Sequence, residues 1–515
     1  MLDRVRDRKR PWDMLIIGGG ATGVGIAVDA ASRGYDVLLA EQSDFGKGSS
    51  TRSTKLVHGG VRYLQQGNIS LVMGALKERG ILRQIAPHLV HDLAFVVPNY
   101  DWWEAPFYGI GLKVYDLLAG RYGFGASKLL SAEATRELLP TIKSEGLIGG
   151  VIYHDGQFDD ARLLINMAQT AAEQGAAMLS YLQVEALTKG GDGFLTGAVC
   201  RDQETGEEYA VDAKVVINAG GPFCDEVRRL DDAEASPMIA PSQGVHIMLD
   251  RSFLPGDSAI MVPRTSDGRV LFAIPYLGAV LVGTTDTPIS EASLEPQYTE
   301  PEIDFLLETA GMYLHHAPTR KDILSAYTGI RPLVKAGDAK ETSSLSRDHT
   351  IHISGSGLLT IAGGKWTTYR HMAEDCVDHA ATLAELEPRP CVTQSLNIRG
   401  FHKTAEKFGD LELYGSDATE IRALLRSDPS LEEKLHPDLR ACSGEVVWAA
   451  RSEMARTVDD FLARRTRSLL LNARASLEAA PRVASLLAKE LGRDRTWQIA
   501  QVEAFKQIAA RHTVD

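Results

Sequence analysis

What this 515-residue sequence has little of narrows its chemistry before any motif is read. Basic charge is in deficit: 55 Lys and Arg against 68 Asp and Glu leave a formal net charge of −13. A nucleic-acid binder carries a basic face strong enough to dominate that balance, so none is expected as partner, and an anionic ligand would need a local pocket of cations. Cysteine is sparse. Cys200, Cys224, Cys376, Cys391 and Cys442 are scattered, odd in number and never in a CxxC pair. That usage argues against a disulfide framework or a zinc site and predicts a reducing, cytoplasmic setting with no metal. Long apolar runs are missing too: the longest, Val270 to Gly283, spans 14 residues and contains Pro275 and Gly278. It falls short of the roughly 20 residues needed to cross a bilayer. The N-terminal Arg4, Arg6, Arg8, Lys9 and Arg10 alternate with Asp3 and Asp7 and precede no apolar segment, which predicts a solvated tail in place of a targeting peptide. With 44% apolar and 24% charged residues and no repeat, the chain is expected to fold into two or three packed units of an enzyme.

What the sequence does contain begins near its start. Trp12 to Ile17 reads as a buried strand, Ala21 to Arg33 as a helix with apolar spacing, and Asp36 to Ala40 as a second strand after the Gly34 stop. Between the first strand and the helix, Gly18, Gly20 and Gly23 occupy the three glycine positions of GxGxxG, with Ala21 and Thr22 opening the helix. These glycines suit a tight turn, close approach of backbone to a pyrophosphate, and close packing of helix on strand. The helix N-terminus favours the anion. Glu41, followed by Gln42, ends the second strand where a carboxylate accepts from ribose hydroxyls and repels a 2′-phosphate. This unit predicts a dinucleotide site without separating NAD from FAD. The segment Ser49-Ser50-Thr51-Arg52-Ser53-Thr54-Lys55 then offers hydroxyls that suit a pyrophosphate and a flavin edge, or equally an ordinary polar loop.

The stretch from Ser53 to Leu64, containing Leu56, His58-Gly59-Gly60 and Arg62-Tyr63, resembles the signature of FAD-dependent glycerol-3-phosphate dehydrogenases and the related glycerophosphate oxidases. Further matching motifs follow in the family's order. They are Asp155-Gly156-Gln157 with Asp159-Asp160-Ala161-Arg162, Asn218-Ala219-Gly220-Gly221, Gly283-Thr284-Thr285-Asp286-Thr287, Gly329-Ile330-Arg331-Pro332, Ser346-Arg347-Asp348-His349 and Gly363-Gly364-Lys365-Trp366-Thr367. Past about residue 386 the match softens.

The resemblance implies an α/β protein: a glutathione-reductase-like, Rossmann-type FAD domain, a β-sheet substrate domain and a C-terminal α-helical domain. The expected boundaries are 1–95, 150–235 and 345–385 for the FAD domain, 96–149 and 236–344 for the substrate domain, and 386–515 for the helices. It also implies FAD contacts from Gly18, Gly20, Ala21, Thr22, Gly23, Glu41, Gln42, Ser49, Ser50, Ser53, Thr54, Lys55, Leu56, His58 and Gly59. Later contacts are expected from Ala219, Gly220, Gly364, Lys365, Trp366 and Thr367. Arg62, Tyr63, Arg331, Arg347 and Lys365 are the implied substrate-facing residues, because guanidinium and ammonium groups match a phosphate. His58, His246 and Arg331 are the expected catalytic residues. The two histidines are the candidate bases, since only imidazole has an unperturbed pKa near neutrality; His58 is favoured, and arginine is too basic for that role.

Two hairpin arms are expected at Arg269 to Pro275 and Ala279 to Thr284, and one amphipathic helix over Glu445 to Arg467 packing on the FAD domain. The resemblance further implies a quinone acceptor and a homodimer. The aromatic-rich stretch Trp102-Trp103 through Phe107, Tyr108, Tyr115 and Tyr122 to Phe124, with Lys113 and Arg121, suits either a peripheral membrane contact or ordinary packing. An oxygen-using oxidase, an amino-acid oxidase of the same fold and a non-catalytic FAD-binding subunit are the competing readings.

Overall fold

The computed structural model describes residues 1–60, 68–101, 104–263, 265, 269–335 and 348–514. Trp102, Trp103, Arg62, Tyr63 and Arg347 lie outside them.

Trp12–Ile17 forms the centre of the first sheet because it is apolar on both faces, as a strand covered on two sides must be. Met14 and Ile16 join the core that includes helices Ala21–Ser32, Asp160–Glu173 and Tyr369–Leu383, while Leu15 and Ile17 join the opposite core. The strand order is His349–Ile353, Leu359–Gly363, Glu208–Asn218, Trp12–Ile17, Val37–Ala40, Ala177–Leu179. The pairs made by Trp12–Ile17 are parallel, so the carboxyl ends of Glu208–Asn218 and Val37–Ala40 lie at the same edge as the glycine turn.

A second, ten-stranded sheet is largely antiparallel. Its longest pair is Ile239–Asp250 with Ile323–Val334. Leu271–Tyr276 and Ala279–Gly283 form the expected hairpin, joined through Leu277 and Gly278 at φ 48° and 85°. The expected boundaries need correction here. Val90–Asn99 and Gly149–Phe158 pair with each other and with strands of this second sheet, so residues 90–95 and 150–158 belong to it and not to the nucleotide sheet.

Helices Ala418–Ser427, Ser443–Ser452, Ala473–Leu491 and Arg495–Ala510 lie in the C-terminal part, the last three around a core containing Val446, Phe461, Val483 and Phe505. The single helix expected over Glu445 to Arg467 is not formed. It stops at Ser452, Met454 takes φ 58°, and a short π-helical segment resumes at Asp460–Arg465. Electrostatics explains the break. The Asp460 carboxylate accepts from the amides of Arg456 and Thr457, tightening the turn ahead of the second segment, and the turn brings Arg464 and Arg465 onto Asp44 of the nucleotide unit at 2.5–2.9 Å. Arg162 and Glu453 add a second buried ion pair across the same seam. Such pairs specify geometry more than they add net stability, because desolvation offsets most of their attraction.

His88 sits behind this seam, its ring close to the backbone of Gly400 and Gly415. Burial, then His91 and Arg162, push its pKa down to about 3. Below about 6.5 the unfolded chain takes up a proton that folded His88 refuses until about pH 3, so this group withdraws stability as pH falls through that window. Chemical denaturation of wild type and His88→Gln between pH 7 and 5 is expected to show a wild-type loss steeper by about 1.4 kcal/mol per pH unit at full effect. Parallel curves would show that His88 is not the titrating group.

Candidate active site

The carboxyl edge of the first sheet opens onto a cavity of about 430 Å³. Gly18, Gly20, Ala21 and Thr22 line it, with Glu41 and Gln42 from the second strand, Ser49 and Ser50 from the hydroxyl loop, and Ala219 and Gly220 from a distant strand end. The glycines are required by close backbone approach. A Cβ on Gly18 would lie 2.6 Å from the Ala219 carbonyl oxygen, and one on Gly23 would lie 1.9 Å from that of Gly18. Gly23 therefore packs helix on strand and leaves the cavity lining to its neighbours. Glu41 accepts from the amides of Gly19 at 2.6 Å and Ser43 at 2.8 Å. Desolvation raises its pKa, and the two amides oppose that rise. The Ala21 amide at the helix start donates to Ser50 Oγ at 2.9 Å.

A second cavity, about 370 Å³, shares Ser49 and Pro332 with the first. Ser53, Thr54, Leu56 and His58 border it, as do His246, Arg331, Gly364, Lys365, Trp366 and Thr367. Residues from four separated stretches thus meet at one place. Hydrogen bonds hold those stretches together: Trp366 Nε1 donates to the Ser50 carbonyl at 2.7 Å, the His58 amide donates to Thr367 Oγ1 at 3.2 Å, and Ser49 Oγ donates to the Ile330 carbonyl.

His246 is buried, stacked on Tyr327 with ring centroids 4.9 Å apart, and its Nε2 lies 2.8 Å from Thr54 Oγ1. Desolvation, then Arg331 and Lys55, hold its pKa well below the ordinary value, so the ring stays neutral at pH 7. Arg331 is tied down on both Nη atoms. It donates to Asp286 at 3.0 Å and the Gln243 carbonyl at 3.3 Å from one, and to Thr284 Oγ1 at 3.1 Å and the Thr285 carbonyl at 3.0 Å from the other. Its charge borders the cavity, with both Nη atoms engaged on the protein's own acceptors.

Besides Gly23, two expected cofactor contacts face elsewhere. The Lys55 ammonium is fully buried outside both cavities, donating to Asp160 at 2.7 and 2.8 Å and to the Thr51 carbonyl at 2.8 Å. It organises the hydroxyl loop from behind, and its side chain is not at the cofactor cleft. Gly59 is also absent from either lining, its amide donating to Tyr115 Oη at 2.8 Å. Sequence reasoning missed Gln183 and Val184 in the first cavity and Asp155, Phe95 and Tyr153 in the second. Only Asp155 had a signal, standing in a motif that received no role.

Two linked cavities, one ending in a glycine turn with a carboxylate at the second strand and one lined by cations and imidazoles, fit an elongated dinucleotide with its reactive ring at the second. Comparison with known proteins agrees. Residues 13–370 match the FAD dependent oxidoreductase family and residues 359–498 the C-terminal domain of alpha-glycerophosphate oxidase. A mitochondrial glycerol-3-phosphate dehydrogenase of Arabidopsis thaliana is 42% identical, with 97% of this chain and 86% of that protein aligned. The Mus musculus mitochondrial enzyme is 41% identical over 93% of this chain and 70% of its own length. The structure of a glycerol-3-phosphate dehydrogenase from Bacillus halodurans complexed with FAD superposes with a TM-score of 0.80 at 29% identity, covering 98% of this chain and 96% of that one. An L-alpha-glycerophosphate oxidase from Mycoplasma pneumoniae, 17% identical, shares the fold over 75% of this chain and 98% of its own at a TM-score of 0.58. The nucleotide cleft, the cation-lined cavity beside it and the helical C-terminal part together place this chain in the family of FAD-dependent glycerol-3-phosphate dehydrogenases.

Proposed function

We propose that the protein oxidises sn-glycerol 3-phosphate to dihydroxyacetone phosphate and passes the electrons to a membrane quinone. The observation that supports this most is the meeting of His58, His246, Arg331 and Lys365 in one cavity that adjoins the glycine-turn cleft. Residues 18–22, Glu41, Ser49, Ser50 and Ala219-Gly220 would hold the nucleotide part of FAD, and residues 364–367 with Thr54 and His58 its ring end. Bound FAD supplies the hydride acceptor.

The chain's own residues do the rest. Lys365 and Arg331, with Arg62 and Arg347 as further cations, draw the phosphate dianion into an otherwise acidic protein and orient the secondary carbon. His58 takes the hydroxyl proton. His246 is the poorer base, because its burial beside two cations makes the imidazolium costly and leaves little driving force for proton transfer. It suits a neutral hydrogen-bonding role toward the substrate oxygen.

The Arg331–Asp286 pair sets a sharper expectation. As a pair it is nearly neutral; without arginine, Asp286 would face the incoming dianion. Arg331→Ala should therefore raise KM for glycerol 3-phosphate about ten- to a hundredfold with FAD retained, the scale of a lost charged hydrogen bond. Arg331→Ala combined with Asp286→Ala should recover part of that loss in steady-state kinetics. An unchanged KM in the single variant would remove Arg331 from phosphate binding.

The acceptor reading is supported by helix Glu104–Ala119. It buries Leu112 and Tyr115 but turns Ile110 and Leu117, 69% and 81% accessible, and Val114 to solvent. Leu129 adds to the exposed apolar residues of this region. Such an outer face suits shallow insertion at a lipid interface. Of the aromatic residues in this stretch, Tyr115 takes the packing alternative, its ring buried. Among the described residues no helix is long and apolar enough to cross a membrane. Peripheral attachment at the inner face of a cytoplasmic membrane is the corresponding proposal, with a homodimer as the assembly.

Anaerobic addition of glycerol 3-phosphate to the FAD-loaded protein tests the substrate: bleaching of the flavin absorbance is expected, and a persistently yellow protein would sink the proposal. For the acceptor, cosedimentation with phosphatidylglycerol vesicles should fall at least about tenfold in the Ile110→Asp/Leu117→Asp variant. Hydrogen peroxide release at the rate of dye reduction would instead assign oxygen as acceptor.

A further inference from the structure

The Asp155-Gly156-Gln157 motif has no part in the reaction described above, yet Asp155 borders the cavity that holds His58 and is only 3% accessible. Its carboxylate is fully engaged on the far side. Arg79 Nη1 donates to Oδ1 at 2.6 Å, the Gly156 amide donates to the same oxygen at 3.1 Å, and Tyr115 Oη donates to Oδ2 at 2.7 Å. Arg79 is itself fixed, donating to the Tyr122 carbonyl at 3.0 Å and lying 4.2 Å over the Phe124 ring. Burial, then the Asp155 charge, keep the Tyr115 hydroxyl protonated far past its ordinary range. With its only proton given to Asp155, that oxygen can meet the Gly59 amide only as an acceptor, at 2.8 Å. The peptide between His58 and Gly59 is thereby locked in one orientation. On its other side the His58 amide donates to Thr367 Oγ1. Gly59 leaves no slack: a Cβ there would lie 2.5 Å from Tyr115 Oη and 2.6 Å from Leu76 Cδ2.

We propose that Tyr115, held by Asp155 and Arg79, is a positioning residue for the reaction: it fixes the backbone on which His58 is carried, so that the imidazole meets the substrate hydroxyl in a single register. The proposal rests on the reading that the second cavity binds glycerol 3-phosphate. Its physical basis is the buried chain of hydrogen bonds that runs from the Gly59 amide to Tyr115 and from Tyr115 to the Asp155–Arg79 pair. An imidazole displaced by about 1 Å is enough to cost on the order of a hundredfold in rate. Phosphate binding, made by other residues, is left untouched.

Tyr115→Phe tests it, because the ring that fills the space between the helices stays and only the oxygen leaves. In the FAD-loaded protein without substrate, hydrogen exchange at the Gly59 amide should accelerate at least about tenfold, the factor expected for losing one hydrogen bond. In the FAD-loaded protein, the limiting rate of anaerobic flavin reduction should fall about ten- to a hundredfold while the Kd for glycerol 3-phosphate from the same titration changes less than about threefold. Val72→Ala, a cavity-forming change in the small core that contains Tyr115, controls for mere loosening. It should lower the melting temperature and leave the reduction rate near that of wild type. Unchanged Gly59 exchange in Tyr115→Phe, a reduction rate within about twofold of wild type, or an equal slowing in Val72→Ala would each overturn the positioning role alone. Wild-type protein that binds FAD but is not bleached would take down the proposed function and this role with it.

Discussion

His58→Gln is expected to slow anaerobic reduction of the bound flavin by glycerol 3-phosphate about 10²- to 10⁴-fold, the usual contribution of a positioned general base. Glutamine can still donate a hydrogen bond into the cavity but cannot accept a proton near neutral pH, so binding should survive while the rate falls. The comparison with His246→Gln sharpens the test. His246 is clamped between Tyr327 and Thr54, and the same burial that holds its ring in place makes its protonation expensive. Its replacement should cost less in the reduction step, and the pH profile of the remaining rate should keep the wild-type shape. Stopped-flow traces at several pH values measure both. A His58→Gln protein reducing its flavin at the wild-type rate would move the base to His246 or to solvent.

Gly23→Ala should abolish retention of FAD. A methyl group there would lie 1.9 Å from the Gly18 carbonyl oxygen and 3.1 Å from its carbon, both rigid backbone, and 3.4 Å from the Ala219 side chain. No rotamer relieves that overlap, since Cβ has no freedom of its own. Either the helix Ala21–Ser32 moves off the strand Trp12–Ile17, or the glycine turn opens; each displaces the amides that would meet the pyrophosphate. The purified variant should be colourless, with far-ultraviolet circular dichroism close to wild type because the displaced helix remains buried elsewhere along its length. Stoichiometric yellow protein would show that the turn tolerates the methyl group and that the helix is not pressed against it as tightly as the distances require.

The elements read correctly from sequence are those whose signal is local. The helix expected from Ala21 to Arg33 is Ala21–Ser32, and the strand expected from Asp36 is Val37–Ala40, because apolar period and glycine stops act within a turn or two of the residues that show them. The hairpin near Gly278 was legible for the same reason. The errors follow from distant partners. Val90–Asn99 resembles any half-buried strand, and its sheet is decided by pairing with Gly149–Phe158, some fifty residues later. Met454 fits an amphipathic helix by spacing, but the demand of buried Asp44 for Arg464 and Arg465 bends the chain there. Lys55 stands in a cofactor-like motif while its charge is spent on Asp160, and Asp155 has meaning only beside Tyr115 and Arg79.

The order of residues alone determined the dinucleotide unit, the family, and which side chains are available as cations and imidazoles. These follow from the short-range sterics of glycine and from chemistry that each side chain carries wherever it lies. Tertiary structure alone decided that His246 is held neutral, that Arg331 arrives already paired with Asp286, and that Lys55 supports the loop from behind. A pKa and a free hydrogen-bond donor depend on the dielectric and the neighbours that folding supplies, and most of those neighbours are contributed by residues far away along the chain.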